Sequence, residues 1–81
     1  MKVVLSDHAL IAIADAPVPV RKAFHKQLAF LEADMRHPSL QAKKYNESAG
    51  IWQARVNRDW RFYFTIDGDT CRIHKVTPHP K

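Results

Sequence analysis

Two arginines, Arg55 and Arg61, have a residue type and a spacing that suit phosphate binding. They lie on the same side of two neighbouring predicted strands, and a short turn near Arg58 makes them cross-strand neighbours. Two like charges opposite each other destabilise a sheet, and an anion between them removes the repulsion. A guanidinium group binds phosphate through two parallel hydrogen bonds, so the pair predicts contact with an RNA or DNA backbone. The alternative is that both arginines are solvated, or paired with Asp59 or Glu47.

A second group of candidates lies near the C-terminal end, where His79 and Lys81 follow His74. A histidine exchanges protons near neutral pH, so it can take or give a proton in RNA cleavage. A lysine can neutralise the charge that develops on the reacting phosphate. The alternative is a frayed chain end. His74 and His79 could form a metal pair, but no third ligand has a matching spacing, so we expect no metal site.

The excess of positive charge is confined to the second part of the chain. The 81 residues include 13 Lys and Arg against 8 Asp and Glu, which gives a net charge of +5. Residues 1–35 contain 4 basic and 4 acidic residues, whereas residues 36–81 contain 9 basic and 4 acidic residues and carry the whole +5. This distribution indicates a surface for a polyanion, with a solvated basic face as the alternative.

Length and composition limit the classes of function. A chain of 81 residues predicts one domain, residues 1–81, which is too short for the large nucleotide-binding and barrel enzyme folds. The single cysteine, Cys71, excludes an internal disulfide framework and a cysteine-based zinc site. The longest apolar run, residues 9–14, is far shorter than the ~20 residues that span a bilayer, and no signal peptide is recognisable. We therefore expect a cytoplasmic protein without membrane contact.

The N-terminal part predicts one strand and two helices. Residues 1–5 are rich in β-branched side chains, as in a strand, and Ser6 is a suitable N-cap for a helix over residues 7–15. Pro19 suits the first turn of a second helix, which we expect to end near Met35. One face of this helix is apolar at helical spacing. That face consists of Val20, Ala23, Phe24, Leu28, Leu31 and Met35.

The period of the pattern changes to two after a polar loop that contains Lys43 and Lys44. Residues 51–57, 59–66 and 70–76 alternate between apolar and polar side chains, as in strands with one buried face. The inward positions are Trp52, Ala54, Val56, Trp60, Phe62, Phe64, Ile66, Cys71 and Ile73. The outward positions include Gln53, Arg55, Asn57, Arg61 and Tyr63.

These elements predict an α+β domain in which two N-terminal helices pack on one face of a small twisted antiparallel sheet. The polar face of the sheet is then the candidate functional surface. Tyr45, Trp52 and Trp60 could stack on bases, but both tryptophans occupy inward positions and are more typical of a core. Cys71 is likewise more typical of a small core residue than of a nucleophile.

Five segments resemble the RelE/ParE superfamily of toxins from toxin–antitoxin systems. They are His37–Leu40, Lys43–Lys44, Ile51–Val56, Asp59–Phe64 and the closing His79–Lys81. The order of the predicted elements also matches, and the resemblance covers nearly the whole chain. It implies a metal-independent ribonuclease that needs no cofactor, cleaves mRNA in the ribosomal A site and leaves a 2′,3′-cyclic phosphate. The implied partners are the ribosome, mRNA and a cognate antitoxin that silences the toxin, which is a monomer or part of a hetero-oligomer.

The resemblance also implies roles for individual residues. Arg55 and Arg61 fall at basic positions of the family and would hold the phosphate, His79 would move a proton with His74 in reserve, and Lys81 would orient the phosphate. Gln53 stands where a further basic residue is often found, so one positive charge is absent. The C-terminal aromatic residue of some members is also absent. The expected RNA contacts are Gln53, Lys43, Lys44, Tyr63 and His74.

Two other functions are compatible with the same resemblance. ParE-like members act on DNA gyrase instead of mRNA, and an inactive relative would only bind its antitoxin or regulate an operon. One fold can host several functions, so the resemblance alone does not decide between them. A histidine and two arginines on one face favour the nuclease.

Overall fold

A computed structural model describes residues 1–79 of the chain. The strands are β1 (Lys2–Leu5), β2 (Lys43–Asn46), β3 (Ile51–Arg55), β4 (Trp60–Asp67) and β5 (Thr70–Pro78). The helices are α1 (Asp7–Ala14) and α2 (Val18–Ala33), and a single 3₁₀ turn covers Pro38–Leu40. The predicted strand, two helices and three-strand meander are confirmed, and β2 is an additional strand.

Helix α1 begins where the sequence predicts, because Ser6 caps it. The Ser6 side-chain oxygen accepts a hydrogen bond from the Ala9 amide at 3.1 Å, which satisfies one of the free amides of the first turn. The same hydroxyl donates to the His74 carbonyl of β5 at 3.1 Å, so the cap also ties the helix to the sheet. Ala9 and Ile13 are buried beneath the helix.

Helix α2 covers the centre of the sheet. Val20, Phe24 and Leu31 are buried, and the Phe24 ring meets Phe62 of β4 edge to face at 5.7 Å. The helix ends at Ala33, two residues before the predicted end, because Asp34 is extended. The Asp34 carboxylate then accepts a hydrogen bond from the Arg36 amide at 2.9 Å, an interaction that favours a turn over further helix.

Within residues 1–79, the sheet has five strands in the order β1-β5-β4-β3-β2. Strands β2 to β5 are antiparallel neighbours, whereas β1 pairs with β5 in parallel, so the sheet is mixed and not purely antiparallel as the sequence suggested. The β4–β5 hairpin turn contains Gly68 at φ 62°, a conformation that glycine adopts without strain and that confirms the predicted Asp-Gly turn. None of the helices within residues 1–79 has the length and apolar character needed to cross a membrane.

Two register shifts interrupt the alternation of side chains. Between β4 and β5, Tyr63 pairs with Lys75 and Phe64 with Ile73, so His74 is an extra, bulged residue. Between β2 and β3, the partners shift in the same way across Tyr45. Bulges break a strict period of two, which is why the sequence pattern did not predict them.

The core lies between the helices and the inner face of the sheet. Phe24, Leu31, Leu40, Phe62, Phe64, Cys71 and Ile73 are among its fully buried side chains. The predicted register is confirmed, because Phe62 and Phe64 are buried while Arg61 and Tyr63 lie on the other face, partly exposed. Trp52 and Trp60 pack against the core but remain partly exposed at its edge.

Candidate nucleic-acid interface

A cationic cleft lies at one end of the open face of the sheet. Its volume is about 180 Å³, and it is lined by Gln41, Lys43, Gln53, Arg55, Arg61 and His79. Arg55 on β3 and Arg61 on β4 are direct cross-strand partners, as the sequence predicts. The repulsion between two guanidinium groups held in this way is relieved when an anion lies between them. The cleft is therefore suited to a phosphate group.

Arg61 is fixed by the β3–β4 turn. Its Nη1 donates to the carbonyl oxygens of Asn57 at 2.7 Å, Trp60 at 2.9 Å and Arg58 at 3.3 Å. The remaining donors, on Nε and Nη2, take part in none of these three bonds. The Asn57 carboxamide holds the same turn, because its oxygen accepts from the amides of Asp59 and Trp60, each at 2.9 Å. The Asn57 side chain is therefore structural, although the sequence placed it on the functional surface.

Arg55 is fixed through its backbone by a buried glutamine of α2. Gln27 is only 6% exposed, and its Nε2 donates to the Arg55 carbonyl at 2.7 Å and to the Ser39 carbonyl at 2.8 Å. One amide group thus connects α2, the 3₁₀ turn and the end of β3. Sequence reasoning missed Gln27, although a polar residue in the middle of the apolar helix face was a usable signal.

His79 lies at the edge of the cleft and is held by its backbone. Its amide donates to the Asp59 carbonyl at 2.7 Å, which continues the pairing of β5 with β4 beyond Pro78. Up to this residue the chain end is therefore paired and not frayed. Lys81, the fourth predicted catalytic residue, lies outside the described residues.

Gln53 lies at the bottom of the cleft and is only 8% exposed, more buried than an outward position suggests. Its Nε2 donates to the Tyr63 hydroxyl at 3.0 Å. This hydrogen bond satisfies a polar group that would otherwise be costly to bury. Gln53 therefore shapes the cleft and orients Tyr63.

The two neighbouring lysines of β2 point to opposite sides of the sheet. Lys43 pairs with Gln53 and lines the cleft, whereas Lys44 pairs with Trp52, and its Nζ lies 4.9 Å from the centre of the indole ring. Successive residues of a strand face opposite sides, so only Lys43 joins the arginines. The structure thus separates Lys44 from the other predicted RNA contacts.

The predicted contacts Tyr63 and His74 line a second depression on the same open face. This aromatic groove has a volume of about 470 Å³, and its wall includes Tyr45. The His74 Nε2 lies 2.8 Å from the Thr65 hydroxyl oxygen. His79, and not His74, therefore shares the cleft with Arg55 and Arg61.

Comparison with solved structures identifies the fold. A YoeB/ParE toxin from Agrobacterium tumefaciens superposes with a TM-score of 0.79 at 13% identity, over 99% of this chain and 100% of that one. A chain of the archaeal RelE–RelB complex from Pyrococcus horikoshii OT3 superposes with a TM-score of 0.80 at 17% identity, over 95% of this chain and 92% of that one. A chain of the intact E. coli RelBE toxin–antitoxin complex superposes with a TM-score of 0.74 at 11% identity, over 99% of this chain and 98% of that one. The chain has the fold of the RelE/ParE toxins.

The resemblance stated from the sequence is thus confirmed for the RelE/ParE fold. No protein-family model matches the sequence, and no curated protein is significantly similar to it. Identities of 11–17% establish a shared architecture and leave the activity to the chemistry of this chain's own side chains.

On this RelE/ParE fold, the arginines and Lys43 line the cleft, whereas Cys71 lies in the core. Burial raises the pKa of the Cys71 thiol to about 11, so the thiol is neutral at physiological pH and is a core group, as predicted. Within residues 1–79, no three His, Cys, Asp or Glu side chains converge as metal ligands. The cleft offers positively charged and hydrogen-bonding groups, which is the chemistry needed to hold a phosphate and transfer a proton.

Proposed function

We propose that this protein is the toxin of a toxin–antitoxin system and that it cleaves mRNA on the ribosome. The observation that carries the proposal is the cleft in which Arg55 faces Arg61 beside His79 and Lys43. Two guanidinium groups, one lysine and one imidazole within one small cleft match the needs of phosphoryl transfer without a bound metal. The shared fold with RelE and YoeB toxins supports the same function.

The proposed reaction is an attack of a ribose 2′-hydroxyl on its own 3′-phosphate. The 2′-oxygen forms a bond to phosphorus, and the bond from phosphorus to the 5′-oxygen of the next nucleotide breaks. The products are a 2′,3′-cyclic phosphate and a 5′-hydroxyl. The proton lost by the 2′-hydroxyl and the proton gained by the leaving oxygen balance, so one titratable group can serve both steps.

In this reaction, Arg55 and Arg61 stabilise the additional negative charge of the phosphorane. Their placement by the turn and by Gln27 reduces the reorganisation needed when that charge develops. His79 transfers the proton, and Lys81 helps to orient the phosphate. A surface this small does not hold the RNA in an attacking geometry alone, so the ribosome would supply the alignment of the attacking oxygen.

The proposed partner that controls this activity is an antitoxin. Two solved complexes whose toxin chains share this fold contain RelB or YefM as the antitoxin. The net charge of +5, carried by residues 36–81, favours an acidic antitoxin segment over the open face of the sheet.

The test is induction in growing cells with mapping of mRNA 5′ ends. We expect cuts within translated codons, and we expect Arg61→Ala to lower cleavage by about 10²- to 10³-fold, as for loss of one group that stabilises an oxyanion. Arg21→Ala on α2 is the matched control, because it removes the same charge from a partly exposed arginine away from the cleft. Intact mRNA together with DNA damage would refute the nuclease and favour a gyrase target.

A further inference from the structure

The aromatic groove beside the cationic cleft is not used by the proposed reaction. It lies on the open face of the sheet, with walls formed by Tyr45, Ile51, Tyr63 and His74. Its volume of about 470 Å³ is well over twice the 180 Å³ of the cleft. A depression of this size can hold a flat group larger than a phosphate.

Two β-bulges aim side chains into this one groove. Tyr45 is the extra residue where β2 shifts against β3, and His74 is the extra residue where β5 shifts against β4. A bulge redirects the side chain of its extra residue, and bulges are common beside functional sites. Two bulges on different strands that direct an aromatic ring and an imidazole into the same groove indicate a binding site.

The tyrosine rings form an open stacking platform. The ring centres of Tyr45 and Tyr63 lie 4.9 Å apart at an angle of 69°, and Tyr45 is 63% exposed. A planar ligand can therefore lie on one ring and touch the edge of the other. On the opposite side, the His74 imidazole bonded to Thr65 has a second ring nitrogen, Nδ1, that can bind the polar edge of such a ligand.

The groove and the cleft share one boundary. Gln53 lines the cleft, Tyr63 lines the groove, and the hydrogen bond of 3.0 Å between them forms the wall. Tyr63 follows Arg61 by two residues on β4, a step of about 7 Å along the strand. A nucleotide whose phosphate lies between the arginines can therefore extend its base into the groove.

We propose that the groove binds a nucleobase of the RNA next to the scissile phosphate, by stacking on Tyr45 and Tyr63. This inference rests on the proposed RNA substrate and adds a subsite to it. The positive charge of the adjoining cleft, and the exposed Lys75 at the rim, favour a nucleotide over the apolar side chain of a protein segment. Stacking on the tyrosine rings accepts any base, and a hydrogen bond from the polar edge of the base to His74 then favours some bases over others.

The test measures the affinity of the purified chain for a fully 2′-O-methylated single-stranded hexaribonucleotide of mixed sequence, which cannot be cleaved. At low salt we expect Tyr45→Ala to weaken binding by about 5- to 100-fold, and Tyr45→Phe to retain the parent affinity. Ile11→Ala on α1 is the control, because Ile11 is also 63% exposed but lies away from the groove. Folding of each variant is checked by its circular dichroism spectrum.

The salt dependence separates the groove from the phosphate site. Arg55→Ala should reduce the slope of log K against log salt by about 0.7, whereas Tyr45→Ala should leave the slope unchanged. If Tyr45→Ala binds the RNA with the parent affinity while Arg55→Ala binds it more weakly, the base site is wrong and the RNA substrate is retained. The groove would then be assigned to a protein segment. No RNA binding by the parent chain would overturn a base site on the free protein, whereas the proposed substrate is decided separately by the mapping of mRNA 5′ ends in cells.

Discussion

The two faces of the sheet are built from alternate residues of the same strands, yet they differ in burial and in the polarity of their side chains. On the helix side, Phe62 and Phe64 of β4 are fully buried, and Phe62 contacts Phe24 of α2. On the open side, Arg61 and Tyr63 of the same strand are half-exposed and line depressions. In this 81-residue chain, the buried face provides stability and the open face provides the chemistry. Adjacent positions of a strand face opposite sides, so a step of one residue leads from the buried face to the open face.

The largest expected effect on stability is on the buried face. Phe62→Ala should lower the free energy of unfolding by about 3–5 kcal/mol, because it leaves a cavity against Phe24 and Phe64. Arg61→Ala, one position earlier on the same strand, should lower the free energy of unfolding by only about 1–2 kcal/mol, since it loses hydrogen bonds to partly solvated turn carbonyls. Urea unfolding followed by tryptophan fluorescence measures both. Equal losses would contradict the separation of the two faces.

On the open face, we expect a substitution to lower activity and leave stability unchanged. His79→Ala should reduce the rate of RNA cleavage on purified ribosomes by roughly 10²- to 10⁴-fold, because a proton transfer is lost. The midpoint of unfolding should hardly change, since His79 is exposed and its hydrogen bond to Asp59 is made by its backbone amide. The matched control is His25→Ala, an exposed histidine on α2. A normal rate in the His79 variant would remove it from the proposed mechanism.

Much of the fold could be predicted because the signals are local. The Ser6 cap, the helical spacing of Phe24 and Leu31, and the alternation around Phe62 each follow from a few neighbouring residues. Strand β2 was missed because all four of its residues are exposed, so no alternation marks it. The parallel pairing of β1 with β5 depends on residues at opposite ends of the chain, and no local pattern encodes it.

The candidate site was predictable to a similar extent. The pairing of Arg55 with Arg61 followed from hairpin geometry, and the structure places His79 and Lys43, both candidates from the sequence, in the same cleft. Gln27 was not predicted, because its two acceptors belong to segments 12 and 28 residues away in the chain. The two bulges at Tyr45 and His74 break the period on which the sequence reasoning relied.

The buried face should also lose stability at high pH. Burial raises the pKa of the Cys71 thiol from an ordinary 9.0 to about 11, so the folded state retains a proton that the unfolded chain releases. The stability associated with this thiol is present in full below pH 9 and is lost between pH 9 and about 11. The loss amounts to about 2–3 kcal/mol, at 1.36 kcal/mol for each pH unit.

Comparison with Cys71→Ala isolates this contribution, because the two proteins differ at this position alone. Unfolding free energies of both proteins are measured from pH 8 to pH 11, and the difference between them should narrow as the pH rises. A constant difference would show that Cys71 does not cause the loss.

Gln27 connects the two faces, because a residue of the buried side holds the backbone of the open side. Gln27→Leu should lower the free energy of unfolding by about 2–3 kcal/mol, since the carbonyls of Arg55 and Ser39 lose their donor. Lys22→Leu, at an exposed position of the same helix, is the control. If both variants unfold at the same urea concentration, the bridge contributes nothing to stability.

The smallest expected effect gives the sharpest comparison of the two faces. Lys43→Ala and Lys44→Ala remove the same charge from adjacent residues, but only Lys43 lines the cleft. Lys43→Ala should reduce the salt slope for the 2′-O-methylated RNA by about 0.7, the value for one phosphate contact on a single strand. Lys44→Ala should leave that slope unchanged and lower the free energy of unfolding by about 0.5–1 kcal/mol, because it loses the contact with the Trp52 ring. Equal slopes in the two variants would mean that RNA responds to the net charge of the chain and not to the face on which a charge lies.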